Sequence, residues 1–326
     1  MQKIEKLLNS YKYKNSLLAY NIANVFRYYT PRFLLRPLLP RMLARAGRQD
    51  NQYISERVNY YNKLAVKTPL PADATALADF KYNNRKKGRT AWSVYFFDTY
   101  RYTRFFPDSM KIRHEFGDVT TVPQYPSIVK SRPAAGDNAN SVLLNLNKRR
   151  HFMFLKDKKN FRDKKDMLVG RGVVEQPHRI KFWQMYFNHP MCDLGAVNKN
   201  PQSPYWIKKF MGIDEHLDYK FILCLEGNDV ATNLKWVMSS NSLAVTARPK
   251  YETWFMEGRL IPNYHYVEIK PDYSDLEERL NYYIARPREA EQIIANAHAW
   301  IAQFGDKKRE DLISLQVLQK YFEMTN

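Results

Sequence analysis

The sequence predicts an α/β protein built on a largely parallel sheet, and three observations point there. From about residue 165 onward the pattern runs strand, loop, helix and then repeats. The runs Met167–Val169, Lys220–Leu225 and Leu243–Thr246 are short and apolar, as buried strands are. With 326 residues and 44% hydrophobic content, the chain can build a substantial core and more than one domain.

The elements follow in chain order. Residues 1–50 form a basic preface carrying Lys3, Lys6, Lys12, Lys14, Arg27, Arg32, Arg36, Arg41, Arg45 and Arg48 against Glu5 and Asp50. Leucines and phenylalanines are interleaved, and Pro31, Pro37 and Pro40 interrupt any continuous helix. Two amphipathic helices are expected, roughly 3–28 and 38–47. They read either as an arm packed on the first domain or as an interfacial anchor with a basic face toward anionic headgroups. Trp92–Phe97 fits a strand or part of a helix. Met110–Phe116 alternates like a strand running into Gly117-Asp118, and Ser127–Lys130 and Ser141–Asn145 read as further strands. Helices are expected over 178–187 and 229–239, and a strand over 264–269. Ser274 and Glu277 have capping-box spacing for the next helix. Two terminal helices, 288–304 and 308–323, are separated by Gly305.

The formal net charge of +19 asks for an acidic partner: nucleic acid, anionic lipid or a phosphorylated substrate. Cys192 and Cys224 are too few and too far apart for a disulfide framework or a metal knuckle, and a reducing compartment is the simpler reading. The seven histidines show no metal spacing. The opening Met-Gln-Lys-Ile-Glu-Lys lacks the apolar core of a signal peptide, and no apolar run is long enough to span a membrane. No RNA-recognition or helix-turn-helix signature accompanies the basic charge.

Three places can carry chemistry. Glu226-Gly227-Asn228-Asp229 lies between a buried strand and an expected helix start, where free N–H groups meet anions; Lys235 follows on that helix. An ordinary turn between strand and helix would look the same. Arg171-Gly172-Val-Val-Glu-Gln-Pro177-His178-Arg179 sets two arginines around a second such junction, and paired guanidinium groups suit a diphosphate. A loop of solvated arginines is the alternative. Asp118 ends an expected strand, where a carboxylate can serve as a general base or simply cap a turn.

These residues resemble glycosyltransferase family 90, which includes the lipopolysaccharide A proteins and the protein O-glucosyltransferases. Arg171-Gly172 with Pro177 and Arg179 is similar to its RGxxxxPxR element. Tyr219 through Gly227, with Lys235 and Asn241-Ser242-Leu243, resembles its sugar-nucleotide segment. Pro262, His265-Tyr266, Asp272, Ser274 and Leu276 resemble its following run, and Gly117-Asp118 with Pro123 and Ser127–Ser131 its upstream base segment. The resemblance covers roughly residues 110–300, in consistent order.

The resemblance implies a GT-B architecture, two Rossmann-like domains facing across a cleft, here with a basic helical N-terminal arm. It implies inverting transfer from a UDP-sugar to a hydroxyl of a lipopolysaccharide core or related glycan, with no metal and no cofactor beyond the donor. Carried over by position, Asp118 is the base, Arg179 a donor-phosphate arginine, and Gly227-Asn228 the nucleotide loop. Asn233 stands where the protein O-glucosyltransferases have an arginine, and Val173 where they have a serine. Lys235 or Arg171, beside Gly172, would then supply the missing charge. Glu252 is a candidate donor-sugar or ribose contact; a solvated helix-start carboxylate is its alternative. The segments expected are the arm at 1–50, an acceptor-side domain at 51–165, a nucleotide-sugar domain at 166–300 and C-terminal helices at 301–326. The partners implied are the UDP-sugar, the glycan acceptor and an anionic membrane surface, not nucleic acid. The place implied is cytoplasmic, peripheral on the inner face of the bacterial inner membrane. The rivals are a nucleic-acid-binding protein and a non-catalytic membrane-associated scaffold.

Overall fold

A computed structural model describes residues 17–44, 51–82 and 90–326. The fold is mixed α/β, and the chain divides into two compact units. Among the described residues one unit falls within Ser16–Lys148, Lys250–Gly258 and Phe304–Asn326, the other within Arg149–Pro249 and Arg259–Gln303.

The first unit holds helices α1 (Leu17–Tyr29), α2 (Leu38–Ala44), α3 (Asn51–Tyr61) and α4 (Thr90–Thr103). Trp92–Phe97 is therefore helical. The two N-terminal helices appear as α1 and α2, and the rest of the expected spans, 3–16 and 45–47, lies outside the described residues. Strands β1 (Thr75–Ala76) and β2 (Lys111–Ile112) pair antiparallel. Strands β3 (His114–Glu115), β4 (Ser127–Val129) and β6 (Ser141–Leu143) form a parallel sheet in that order. The single strand expected over 110–116 is thus two short ones with different partners. Arg113 separates them, its N–H donating to the Tyr321 hydroxyl rather than to a ladder. Strand β5 (Ser131–Pro133) pairs with β11 (Tyr251–Thr253), and the last helix, α11 (Lys307–Thr325), packs on α2, α3 and α4. Asp306 caps α11 by accepting from the N–H groups of Lys308 and Arg309. At the centre Tyr61 stacks on Trp254 at 3.8 Å, and buried Arg57 and Trp254 both donate to Glu310.

The second unit opens with the short helix α5 (Lys148–His151), which starts at the boundary. Its sheet has five parallel strands: β7 (Lys165–Gly172), β8 (Cys192–Ala196), β9 (Tyr219–Leu223), β10 (Leu243–Thr246) and β12 (Val267–Glu268). Between and after them come α6 (Pro177–Tyr186), α7 (Ile213–His216), α8 (Leu234–Met238), α9 (Leu276–Ala285) and α10 (Pro287–Ala302). Leu168, Phe182, Leu194, Phe221, Val245 and Leu276 share one buried core. The spatial order is β8-β7-β9-β10-β12. Counted within this unit, the second strand lies outside the first, and the third to fifth follow on the other side, a doubly wound order.

Several elements differ from expectation. The helix expected over 229–239 shrinks to α8, because the Asn233 amide donates to the Leu223 carbonyl and Gly227 N–H closes a turn on the Asp229 carbonyl. The strand expected over 264–269 shrinks to β12, because Asn263 turns the chain at φ +54° and His265 Nδ1 accepts from Ile261 N–H. Ser274 does not cap α9: its hydroxyl donates to Asp272, Asp275 occupies the N-cap, and no side-chain cap bond forms. Strand β8 was not expected at all.

Candidate active site

In a doubly wound sheet the connections leave opposite ways at the carboxyl ends of two adjacent strands, and a crevice opens between them. Here those strands are β7 and β9. The loop after β7, which ends at Gly172, runs through Val173–Gln176 into α6, whose first residue is Pro177. Proline is suited to that position because its missing N–H has no helical partner to lose. The loop after β9 runs through Cys224–Asn228.

Arg179, in the first turn of α6, joins the two loops. Its Nε donates to the Glu226 carbonyl at 2.8 Å, Nη1 to Val173 at 2.8 Å and Nη2 to Leu225 at 2.9 Å. His178 Nε2 lies 2.8 Å from the same Glu226 carbonyl, and Gln176 donates to Asn228. All three groups Arg179 binds are neutral, and no carboxylate pairs with it among the described residues. Burial lowers its proton affinity and Arg150 acts the same way, with Tyr273 opposing. A cation held so is stabilised by an incoming anion. Gly172 and Gly227 flank it: a Cβ on either would touch the guanidinium at 3.6 and 3.5 Å. Glycine at both places keeps a side chain from packing against the guanidinium there. Five of the expected donor residues and neighbours, Gly172, Arg179, Gly227, Asn228 and His178, are thus brought together.

Other expected donor residues are engaged elsewhere. Arg171 turns to β8, donating to the Asp193 carbonyl at 2.6 Å and carboxylate at 2.7 Å. Burial raises the Asp193 pKa, but hydrogen bonds from Tyr219, Arg171 and Lys208 outweigh it and hold the group at about 2. Lys235 is fully buried in α8. With only five residues, α8 begins well past Gly227, so no helix N-terminus stands at that glycine. Glu252 belongs to the first unit, on β11 rather than at a helix start, and is buried. It accepts from Arg132 Nε at 2.7 Å and from the Tyr60 hydroxyl.

Asp118 also lies in the first unit, just past β3. Gly117 sits at φ +119°, where a side chain would be strained, and it swings the chain so that Asp118 meets Lys130 at the end of β4. Lys130 Nζ donates to Asp118 Oδ1 at 2.5 Å. The lysine is buried, while the aspartate side chain is 34% exposed. Ser131 bonds both the N–H and the carbonyl of Val119, fixing the segment. The arrangement is a carboxylate oriented by Lys130 and partly exposed. No cluster of three or more His, Cys, Asp or Glu groups fit for a metal occurs among the described residues.

Comparison with known proteins shows the family to which the chain belongs. Residues 146–325, more than half of the chain, match the family described as glycosyl transferase family 90. The chain belongs to that family. It is 42% identical over 280 residues to the O-glucosyltransferase LpsA of Dichelobacter nodosus, covering 86% of each protein. It is 31% identical to Protein O-glucosyltransferase 3 of Homo sapiens over 49% of this chain and 32% of that one. The rat counterpart, from Rattus norvegicus, is 30% identical over 35% of this chain and 22% of its own length.

The glycosyltransferase therefore transfers sugar, and the loops after β7 and β9 fall inside the matched region. Sequence reasoning overlooked Lys130 and Asp193 as charge partners. Lys130 carried a signal, a lone cation at the end of the apolar Ser127–Val129 run. Asp193 carried none, because Asp193 and Gly195 interrupt the apolar pattern of their strand.

Proposed function

We propose that this enzyme is an inverting UDP-sugar-dependent glycosyltransferase of GT-B design, with two Rossmann-like lobes. On this reading the second unit binds the donor and the first supplies the base. The observation that carries it is Arg179 at the β7/β9 switch point, a cation between two glycines that pairs with no carboxylate among the described residues. The donor diphosphate would lie there, against Gly172, Arg179, Gly227 and Asn228. Asp118 takes the acceptor hydroxyl proton. The acceptor oxygen forms its bond to the anomeric carbon as the bond from that carbon to the diphosphate oxygen breaks. The bonding electrons leave with UDP, and Arg179 offsets the charge that gathers there. The names of these relatives all specify glucosyl transfer, so UDP-glucose is the donor to try first. A lipopolysaccharide core or similar glycan is the acceptor class, and a peripheral place on the cytoplasmic face of the inner membrane suits such an acceptor. No described helix is long and apolar enough to cross a membrane.

Calorimetric titration tests the donor site. UDP should bind the wild-type protein at physiological salt more tightly than random DNA does. Arg179→Ala should weaken UDP by about 10- to 100-fold, the scale of hydrogen bonds to a charged group. Unchanged UDP affinity in a variant that melts normally would remove Arg179 from the site.

A further inference from the structure

Helix α1 wears its apolar side outward. Its inward side is polar and aromatic: the Tyr20 hydroxyl donates to Asp98 at 3.1 Å, Asn24 is buried, and the Tyr28 ring packs on Tyr100 and Phe96. Those positions recur at helical spacing and face α4. The opposite stripe is Ile22, Val25, Phe26 and Tyr29, at i, i+3, i+4 and i+7, and all four are exposed. Phe26 is 73% exposed and Tyr29 77%. The next turn continues the surface with Phe33 at 67% and Leu34 at 56%. That turn is clamped from below, where Arg32 donates to Asp108 at 2.8 Å and to the Leu77 carbonyl at 2.7 Å, and Arg36 also pairs with Asp108. The apolar side chains are therefore held outward by fixed contacts.

Large apolar side chains grouped on a surface are costly in water and mark a contact face. Charge says what covers this one. Residues 17–44 contain Arg27, Arg32, Arg36 and Arg41 and no acidic residue, and the whole chain carries +19. Aromatic and aliphatic side chains on a segment without acidic residues, in a chain of net charge +19, match the boundary between acyl chains and anionic headgroups. We propose that the stripe Ile22–Val25–Phe26–Tyr29, with Phe33 and Leu34, inserts into an anionic lipid surface and docks the enzyme there. This deepens the peripheral placement proposed above by naming the side chains that enter the bilayer, with insertion adding to charge attraction.

Co-sedimentation of the full chain with phosphatidylglycerol/phosphatidylethanolamine vesicles tests it, with phosphatidylcholine vesicles as the neutral comparison. No donor is present, so the outcome is independent of the transfer reaction. Wild-type protein should pellet with the anionic vesicles, and part of the binding should survive salt that screens charge. The double variant Phe26→Glu/Phe33→Glu should bind at least about tenfold more weakly, the scale of losing a buried phenyl ring. Its melting temperature and its UDP affinity should stay at the wild-type values. Equal vesicle binding by a folded double variant overturns the proposal, as does a wild-type protein that ignores anionic vesicles. Sedimentation velocity covers the remaining occupant: a wild-type dimer that the variant dissolves, with no vesicle binding, would make this face a contact between two copies and overturn the lipid assignment. Tyr29→Glu serves as a second variant if the first fails to fold, with the same expected loss.

Discussion

Asp118→Asn should cut turnover by at least about 10²-fold, the usual contribution of a positioned general base. UDP affinity should hold, because the residue lies outside the proposed donor site. Asparagine keeps the shape of the side chain and an oxygen that can accept from Lys130 Nζ, so the Gly117–Val119 segment stays seated on Ser131. What it loses is the ability to take a proton. The contact with buried Lys130 holds the Asp118 carboxylate in place, as a positioned base requires. Steady-state turnover at saturating donor and acceptor measures the effect. Near-wild-type turnover would sink the assignment of Asp118 as base.

Glu252→Ala should lower stability by about 3–5 kcal/mol, the cost of leaving a buried charge without its partner. Arg132 is fully buried, pairs with Glu252 in register between β5 and β11, and also donates to the Tyr60 and Ser141 carbonyls. Gly258 belongs to the same arrangement: a Cβ there would lie 2.6 Å from Glu252 Oε2. Removing the carboxylate therefore strands a guanidinium in a site built around two charges. Glu252→Gln keeps the volume and should fall between wild type and alanine. Urea melts decide the matter. A folded, normally stable Glu252→Ala with weakened UDP binding would instead make Glu252 a donor contact.

Part of this was legible in the sequence and part was not. Strands β7, β9 and β10 stood out because each is a short apolar run, and α6 because Ile180, Trp183 and Phe187 recur at helical spacing; the side it buries is Phe182, Trp183 and Tyr186, with Ile180 and Phe187 only partly covered. Strand β8 was hidden because Asp193 and Gly195 interrupt its apolar pattern, and the structure supports them through Tyr219, Lys208 and Arg171. The early end of α8 was hidden because Asn233 bonds a carbonyl ten residues back, a choice set by the fold. Arg179 was visible as a charge beside Gly172. Its role as the tie between two loops was not, because the adjacency of β7 and β9 is set by sheet order rather than by sequence neighbours. The same limit applied to Arg171 and Glu252: both looked like available charges, and both have buried or half-buried partners supplied from distant segments.

The most direct measurement of the central reading is acceptor-dependent UDP release. Purified enzyme would be given UDP-glucose and, separately, other UDP-sugars, with and without truncated lipopolysaccharide acceptors. The reading predicts that one UDP-sugar yields UDP in step with glycosylated acceptor, that the new linkage has the anomeric configuration opposite to the donor, and that Asp118→Asn abolishes nearly all of it. A retained configuration would contradict the single-displacement mechanism. Failure of every UDP-sugar to bind or react, in a folded enzyme with acceptor present, would contradict the donor site at Arg179.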